Sequence, residues 1–232
     1  MREINIIAID QRSKAYESYL EAYLNLKNVM FIEFKTMLAN MEEDRGEIKQ
    51  FPDLLVFTGG ADVDPSLYGE LKGSHTSINP DRDLICMKMF KVFRGIPKLG
   101  ICRGSQFLTV AEGGKLIQHV ENHTSNHTTT MLEPGRNRPT EVTVTSTHHQ
   151  MLFPFNMDNK RFKILGWSTK HRSDVYLNGE NKQIELPTDF VEPEVVYYPG
   201  GNSLAIQGHP EMAAAGGKFK EITAKFIKDL LI

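Results

Sequence analysis

Four apolar runs of strand length punctuate the first half of this chain: INIIAI (residues 4–9), VMFIEF (29–34), LLVFT (54–58) and KLGIC (98–102). Each is rich in Ile, Val, Leu or Phe. Segments with helical spacing separate them. Residues 13–26 put Tyr16, Tyr19, Leu20, Tyr23 and Leu24 on one stripe, with Ser13 as a helix N-cap, and residues 81–93 do the same with Leu84, Ile85, Met89 and Val92. Strands that alternate with helices require right-handed crossovers and a mostly parallel sheet covered on both faces. In such sheets ligands bind at the carboxyl ends of the strands. Glycine marks two of those ends, in TGGADVDP (58–65) and CRGSQ (102–106).

The second half reads differently. Short β-like runs, EVTVTS (141–146), FKILGW (162–167), EVVYY (194–198) and SLAIQ (203–207), are divided by turn residues and predict an antiparallel extension. The last segment carries Phe219, Ile222, Phe226 and Leu230 at the spacing of a docking amphipathic helix. With 232 residues and no long polar or proline-rich linker, residues 1–232 are expected to form one α/β domain.

Lys and Arg total 27 against 29 Asp and Glu, for a net charge of -2, so nothing prepares a face for nucleic acid phosphates. Two cysteines make no disulfide framework, and no charged segment followed by an apolar one opens the sequence, which favours a reducing cytoplasm. The apolar runs fall short of the roughly 20 residues that a membrane span needs. A soluble protein acting on a small, nearly neutral substrate or meeting a protein partner is the expectation.

GICRGSQ (100–106) holds Cys102 at the end of a strand run and the start of a helix. Gly-x-Cys-x-Gly in that position has the local grammar of a nucleophile elbow, in which flanking glycines let the backbone turn sharply and expose the central side chain. A helix N-terminus favours the thiolate, and the backbone N–H groups after the cysteine face any oxyanion that forms. A buried structural cysteine satisfies the same pattern. Cys86, inside the 81–93 helix pattern with no glycine beside it, reads as core. A thiol nucleophile needs a base, and the base an orienting group. In AIQGHPE (205–211), His209 and Glu211 supply both, separated by Pro210.

Together these motifs resemble the class I glutamine amidotransferase superfamily, with its Gly-x-Cys-x-Gly-x-Gln and late His-Pro-Glu. TGGADVDPSLYGE (58–70), GICRGSQFLTVAEGGKLIQ (100–118) and TSTHHQ (145–150) sharpen the likeness toward the γ-glutamyl-γ-aminobutyrate hydrolase group, peptidase C26. The resemblance implies a flavodoxin-like three-layer αβα sandwich with a mostly parallel central sheet and a small antiparallel extension. It implies Cys102 as nucleophile, His209 as base and Glu211 as its orienter, with an oxyanion hole from the backbone N–H groups of Gly60 and Arg103. Gly59, Gln106 and His149 would lie at the γ-glutamyl group. The chain departs from the pattern at Gly208, where the family usually has Phe before His-Pro-Glu, at His119 (commonly Asp), at Cys86 (often Glu), and in a shortened stretch between Gln118 and TSTHHQ.

The implied activity is hydrolysis of γ-glutamyl amide bonds through a γ-glutamyl thioester, with no metal or organic cofactor. Two alternatives remain: a glutaminase subunit that passes ammonia to a separate synthetase partner, and a non-catalytic binding or regulatory protein on the same fold. No nucleic acid or membrane partner is expected, and an oligomer is possible. His119, His123 and His127 are spaced by four, which on a helix would stack three imidazoles along one face for a metal, but ENHTSNHTTT is a poor interior helix, so they read as a polar loop near the site's rim rather than a metal site. Asp62 and Asp64 read as turn formers in a loop that the resemblance puts at the substrate pocket, and Trp167 as packing. The Arg103 side chain, KHRS (170–173) and GRNRP (135–139) read as solvated.

Overall fold

The structure, a computed structural model, describes residues 3–44, 48–135 and 138–232. The first half delivers the alternation its apolar runs predict: β1 (Ile6–Ile9), α1 (Lys14–Leu24), β2 (Met30–Glu33), α2 (Phe34–Glu43), β3 (Leu54–Phe57), α3 (Pro80–Val92), β4 (Lys98–Ile101) and α4 (Arg103–Ala111). There follow β5 (Lys115–Ile117), β6 (His119–Val120), β7 (His127–Met131), β8 (Thr140–Val144), β9 (Met151–Phe153), β10 (Lys163–Ser168), β11 (Tyr176–Leu177), β12 (Pro193–Tyr198), β13 (Ser203–Ile206) and α5 (Gly217–Leu230). One nine-stranded sheet runs in the order β2-β1-β3-β4-β13-β12-β10-β7-β8. From β2 to β13 every pairing is parallel; from β13 to β8 every pairing is antiparallel. β5 pairs with β9 and β6 with β11 in two small ribbons outside it.

Side-chain alternation along the central strands builds the three layers. Ile7, Ile9, Val56, Leu99, Ile101, Leu204 and Ile206 pack with Tyr19, Leu20 and Leu24 of α1 and Phe219, Ile222 and Phe226 of α5. Ala8, Leu55, Phe57 and Ala205 point the other way, onto Phe34 and Met37 of α2, Cys86 and Met89 of α3, and Phe107 and Leu108 of α4. Each fully buried Leu, Ile or Phe contributes about 1.5–3 kcal/mol of transfer free energy, so both layers hold the sheet. Among the described residues no helix is long and apolar enough to cross a membrane.

Ser13 stands at the α1 N-cap in extended conformation, as expected, although its side chain makes no capping hydrogen bond. Two other expectations about the helices need correction. The apolar stripe on α3 is split: Met89 is buried and Ile85 packs against the core, but Leu84 is 70% exposed and Val92 38%, while Arg82, Asp83 and Cys86 are buried in their place. The inward face of α3 is ionic because it supports the loops at the carboxyl end of the sheet. Residues 34–43 form a helix that the apolar runs do not announce, and it begins at Phe34, the last residue of the VMFIEF strand run.

Candidate active site

At the carboxyl end of the sheet, Cys102 caps α4 with φ 53 and ψ -113, a left-handed φ that few non-glycine residues adopt. Such backbone costs roughly 1–3 kcal/mol and persists only where its surroundings enforce it. Here the Cys102 N–H donates to the Ile206 carbonyl at 2.9 Å, and its own carbonyl accepts from Ser105 N, Ser105 Oγ and Gln106 N at 3.0, 2.6 and 3.2 Å. The flanking glycines do a different job from the one expected. A Cβ on Gly100 would sit 2.4 Å from the Gly104 carbonyl oxygen, and one on Gly104 only 2.0 Å from that of Phe57. They let α4 pack directly on β3 and β4, and the sharp turn falls on the cysteine itself.

His209 follows β13, its N–H donating to the Thr145 carbonyl at 2.8 Å. Its Nδ1 lies 2.8 Å from Glu211 Oε1 and its Nε2 lies 2.9 Å from Thr147 Oγ1. Burial opposes charge on this ring, but hydrogen bonds to Cys102 and Glu211, and the charges of both, outweigh it and push the imidazole up to about 10. Gly59 lies between the two: a Cβ there would meet His209 Cε1 at 3.2 Å and Cys102 Cβ at 3.7 Å. Gly60, Asp62, Ser77, Cys102, Gln106, Thr147, His148, His149 and His209 line one pocket. His149 Nε2 pairs with Asp62 Oδ1 at 3.2 Å, and that contact raises the pKa of the imidazole. The structure thus brings Cys102, His209, Glu211, Gly59, Gly60, Gln106 and His149 to one place, with Arg103 as the first residue of α4.

Beneath the pocket lies a buried ionic floor. Arg82 binds Asp10 through two nitrogens and donates to the Thr58 and Gly59 carbonyls, each at 3.0 Å. A Cβ on Gly60, at φ 144, would run into this guanidinium. Arg103 pairs with Asp83, lies 3.8 Å from Asp10 and 3.4 Å from Cys86 Sγ, and covers the Phe107 ring. This corrects the expectation of a solvated Arg103 side chain, which is 1% exposed. Its charge is tied into the Asp83 carboxylate on the inward face of α3, a face that the sequence pattern leaves polar.

The histidine loop is corrected as well. His123 and His127 are buried rather than set in a polar loop at the rim, and they gather with His148 around Glu194 of β12. Asp64 is a turn former, accepting from Ser66 N at 2.9 Å, whereas Asp62 both accepts from Ser77 N and lines the pocket. In KHRS, the backbone N–H groups of Arg172 and Ser173 are spent on buried Glu192. GRNRP lies partly outside the described residues, at 136–137. Trp167 is half-buried in β10.

Sequence reasoning misses Tyr16 and Thr147. The Tyr16 hydroxyl accepts from Gly59 N–H at 3.0 Å, and burial together with Glu211 raises its pKa. In the sequence Tyr16 is one member of an apolar stripe, though its place just past the carboxyl end of β1 puts it on the pocket side of the sheet. Thr147 stands inside TSTHHQ, where the two histidines draw the reading.

A family model described as peptidase C26 matches residues 4–211. The candidate glutamine amidotransferase-like protein YvdE of Lactococcus lactis subsp. lactis is 31% identical over 136 residues, 57% of this chain and 53% of that protein. The γ-glutamyl-γ-aminobutyrate hydrolase PuuD of Escherichia coli K12 is 45% identical over 58 residues, 24% of this chain and 22% of that one. The matched stretches therefore span about half and about a fifth of these relatives' own lengths. A candidate GMP synthase protein of Thermoplasma acidophilum shares the fold, with a TM-score of 0.63 at 17% identity over 98% of this chain and 94% of that one.

Proposed function

The chain belongs to the peptidase C26 family, and from that premise we propose that it hydrolyses γ-glutamyl amide bonds, with Cys102 as nucleophile. The observation that carries the reading is the meeting of Cys102, held at positive φ on the α4 N-terminus, with a His209 already hydrogen-bonded to Glu211. The sulfur attacks the γ-carboxamide carbon while its proton resides on His209. The oxyanion faces the N–H groups of Gly60 and Arg103. As the C–N bond breaks, His209 returns the proton to the departing ammonia or amine, leaving a γ-glutamyl thioester. Water, deprotonated by His209, then attacks the thioester, and glutamate departs as the thiol reforms. Glu211 holds the imidazole in register and stabilises its charge.

In this reading Gln106 and His149, with Asp62 behind it, receive the glutamyl end, and Gly59 provides room between nucleophile and base. Both cysteines are free thiols, which suits a reducing cytoplasm. The test is glutamate release from glutamine and from a panel of γ-glutamyl amines, with Cys102→Ala as control. Turnover by the wild type alone, lost in the variant, supports the hydrolase. Wild type as inactive as Cys102→Ala on every substrate, with and without a partner, overturns it.

The second reading is a glutaminase that delivers ammonia to a synthetase, and the amidotransferase-like relative favours it. Such a protein would be nearly silent on glutamine until its partner is added, whereas a free-standing hydrolase turns over alone.

A further inference from the structure

Directly behind the pocket wall, three side chains from distant parts of the chain point at one spot. His123 lies between β6 and β7, His148 in the segment that precedes β9, and Glu194 on β12; all are buried, and one donor atom from each lies within 4.8 Å of the other two. His123 Nδ1 and His148 Nε2 each stand 3.4 Å from Glu194 Oε1. Neither contact has the geometry of a hydrogen bond. Both nitrogens, with His123 Nε2 and Glu194 Oε2, are buried without a hydrogen-bond partner. Four such atoms in one buried cluster need a reason, because each costs about 1–3 kcal/mol.

The ring orientations supply it. His148 Nδ1 lies 2.9 Å from the Gln150 carbonyl, which can only accept, so Nδ1 carries the proton. Nε2 then presents a lone pair to a carboxylate oxygen, acceptor against acceptor, in a site closed to water. His123 approaches from the other side: its Nε2 lies 3.2 Å from the Glu192 carboxylate, within reach of an ion pair, leaving Nδ1 to face Glu194. Glu192 is itself fixed by Tyr176 Oη at 2.7 Å and by two backbone N–H groups. An outward nitrogen directed at a carboxylate or a carbonyl, with the inner nitrogen bare, is the arrangement that orients metal-ligating histidines.

Distances agree with this. Ligands at about 2.0–2.1 Å from a tetrahedral ion are about 3.3–3.4 Å apart along each edge. Both nitrogen–oxygen separations match that edge. His127 Nε2 meets the same Glu194 oxygen at 2.9 Å and holds the carboxylate toward the cluster.

We infer that His123, His148 and Glu194 bind a divalent transition metal, zinc by the chemistry of two imidazoles and one carboxylate. The ion would pin the His119–His127 loop and the Thr147–Gln150 segment to β12. Its role is structural, because all three side chains are closed to solvent.

The test uses the full chain without a histidine tag, stripped with a chelator and titrated with zinc chloride. About one equivalent should survive desalting, and the zinc-loaded protein should unfold at higher temperature than the stripped one. Glu194→Gln and His123→Asn should lose that equivalent, while His119→Ala, stacked on His75 outside the cluster, should keep it. Retention below about 0.1 equivalent by the wild type overturns the site, and so does full retention by Glu194→Gln. If the variants do not accumulate folded, cobalt(II) loading of the wild type decides. A visible spectrum of tetrahedral intensity supports the site, and a weak six-coordinate one overturns it.

Discussion

The segment Thr147–Gln150 has a histidine–glutamate pair on either side. Toward the pocket, His209 meets Glu211 at 2.8 Å with hydrogen-bond geometry, and its other nitrogen reaches Thr147 at 2.9 Å. Behind it, His148 meets Glu194 at 3.4 Å without that geometry and spends its other nitrogen on a backbone carbonyl. The same two residue types are arranged for opposite ends. A ring hydrogen-bonded to its carboxylate, with its far nitrogen beside a thiol, can pass a proton back and forth. A ring whose inner nitrogen is bare and buried is placed to hold a cation. The two pairs should therefore fail independently.

Cys102→Ser should produce the largest effect, a fall in glutamate release of about 10⁴-fold or more, because the hydroxyl at this elbow is a far poorer nucleophile than the thiol. Zinc content measured on the same preparation should not change; a coupled loss would break the separation. Next, Glu211→Gln should lower kcat by roughly 10²–10⁴-fold, since it removes both the orienting contact and the charge that supports the imidazolium.

Glu211→Gln carries a pH signature too. Burial lowers the His209 pKa, but Cys102 and Glu211 raise it to about 10, above the 6.5 of the unfolded chain. The stability from this charged cluster is fully present below about pH 6.5 and is lost as pH rises through about 10. The difference in Tm between wild type and Glu211→Gln should therefore be widest near pH 6.5 and shrink toward pH 10. A difference that grows with pH would mean that the ring is neutral in the folded protein.

Legibility in the sequence follows the range of the physics. The parallel strands can be read because each is a local apolar run, buried on both faces in β3, β4 and β13, and the pocket residues because glycine, cysteine and His-Pro-Glu carry their chemistry in short motifs. Arg82, Arg103 and Asp83 escape such reading because their partners lie on other elements; a buried ion pair looks like surface charge until the fold closes over it. Glu192 and Glu194 are hidden in the same way. They stand at the edge of an apolar strand run, although two carboxylates two residues apart share a face, and three histidines upstream need an acceptor. Tyr16 passes for core because only its ring, not its hydroxyl, follows the helical stripe.

Gly60→Ala ranks third. At φ 144, with Arg82 filling the space where a Cβ would go, the peptide must rotate, and the N–H assigned to the oxyanion moves with it. Loss of one such donor costs about 10²-fold in kcat, with KM changing less. If KM rose and kcat held, Gly60 would be lining the pocket rather than meeting the transition state.

The smallest effect should come from Thr147→Val, which removes the hydroxyl at His209 Nε2 and keeps the shape. The same imidazole also interacts with Cys102, which raises its pKa. A single hydrogen bond of this kind is worth about 0.5–1.5 kcal/mol net, which corresponds to a change in kcat of about 2–10-fold. The direction should be downward, because the imidazole loses the contact that steadies it while the thiol is away on substrate. Thr147 is bonded directly to His148, yet its hydroxyl turns to the pocket and the His148 ring turns to Glu194. Zinc retention in Thr147→Val should therefore equal that of the wild type. A variant that lost metal along with rate would show that the segment between the two pairs transmits strain, and that neither His–Glu pair works alone.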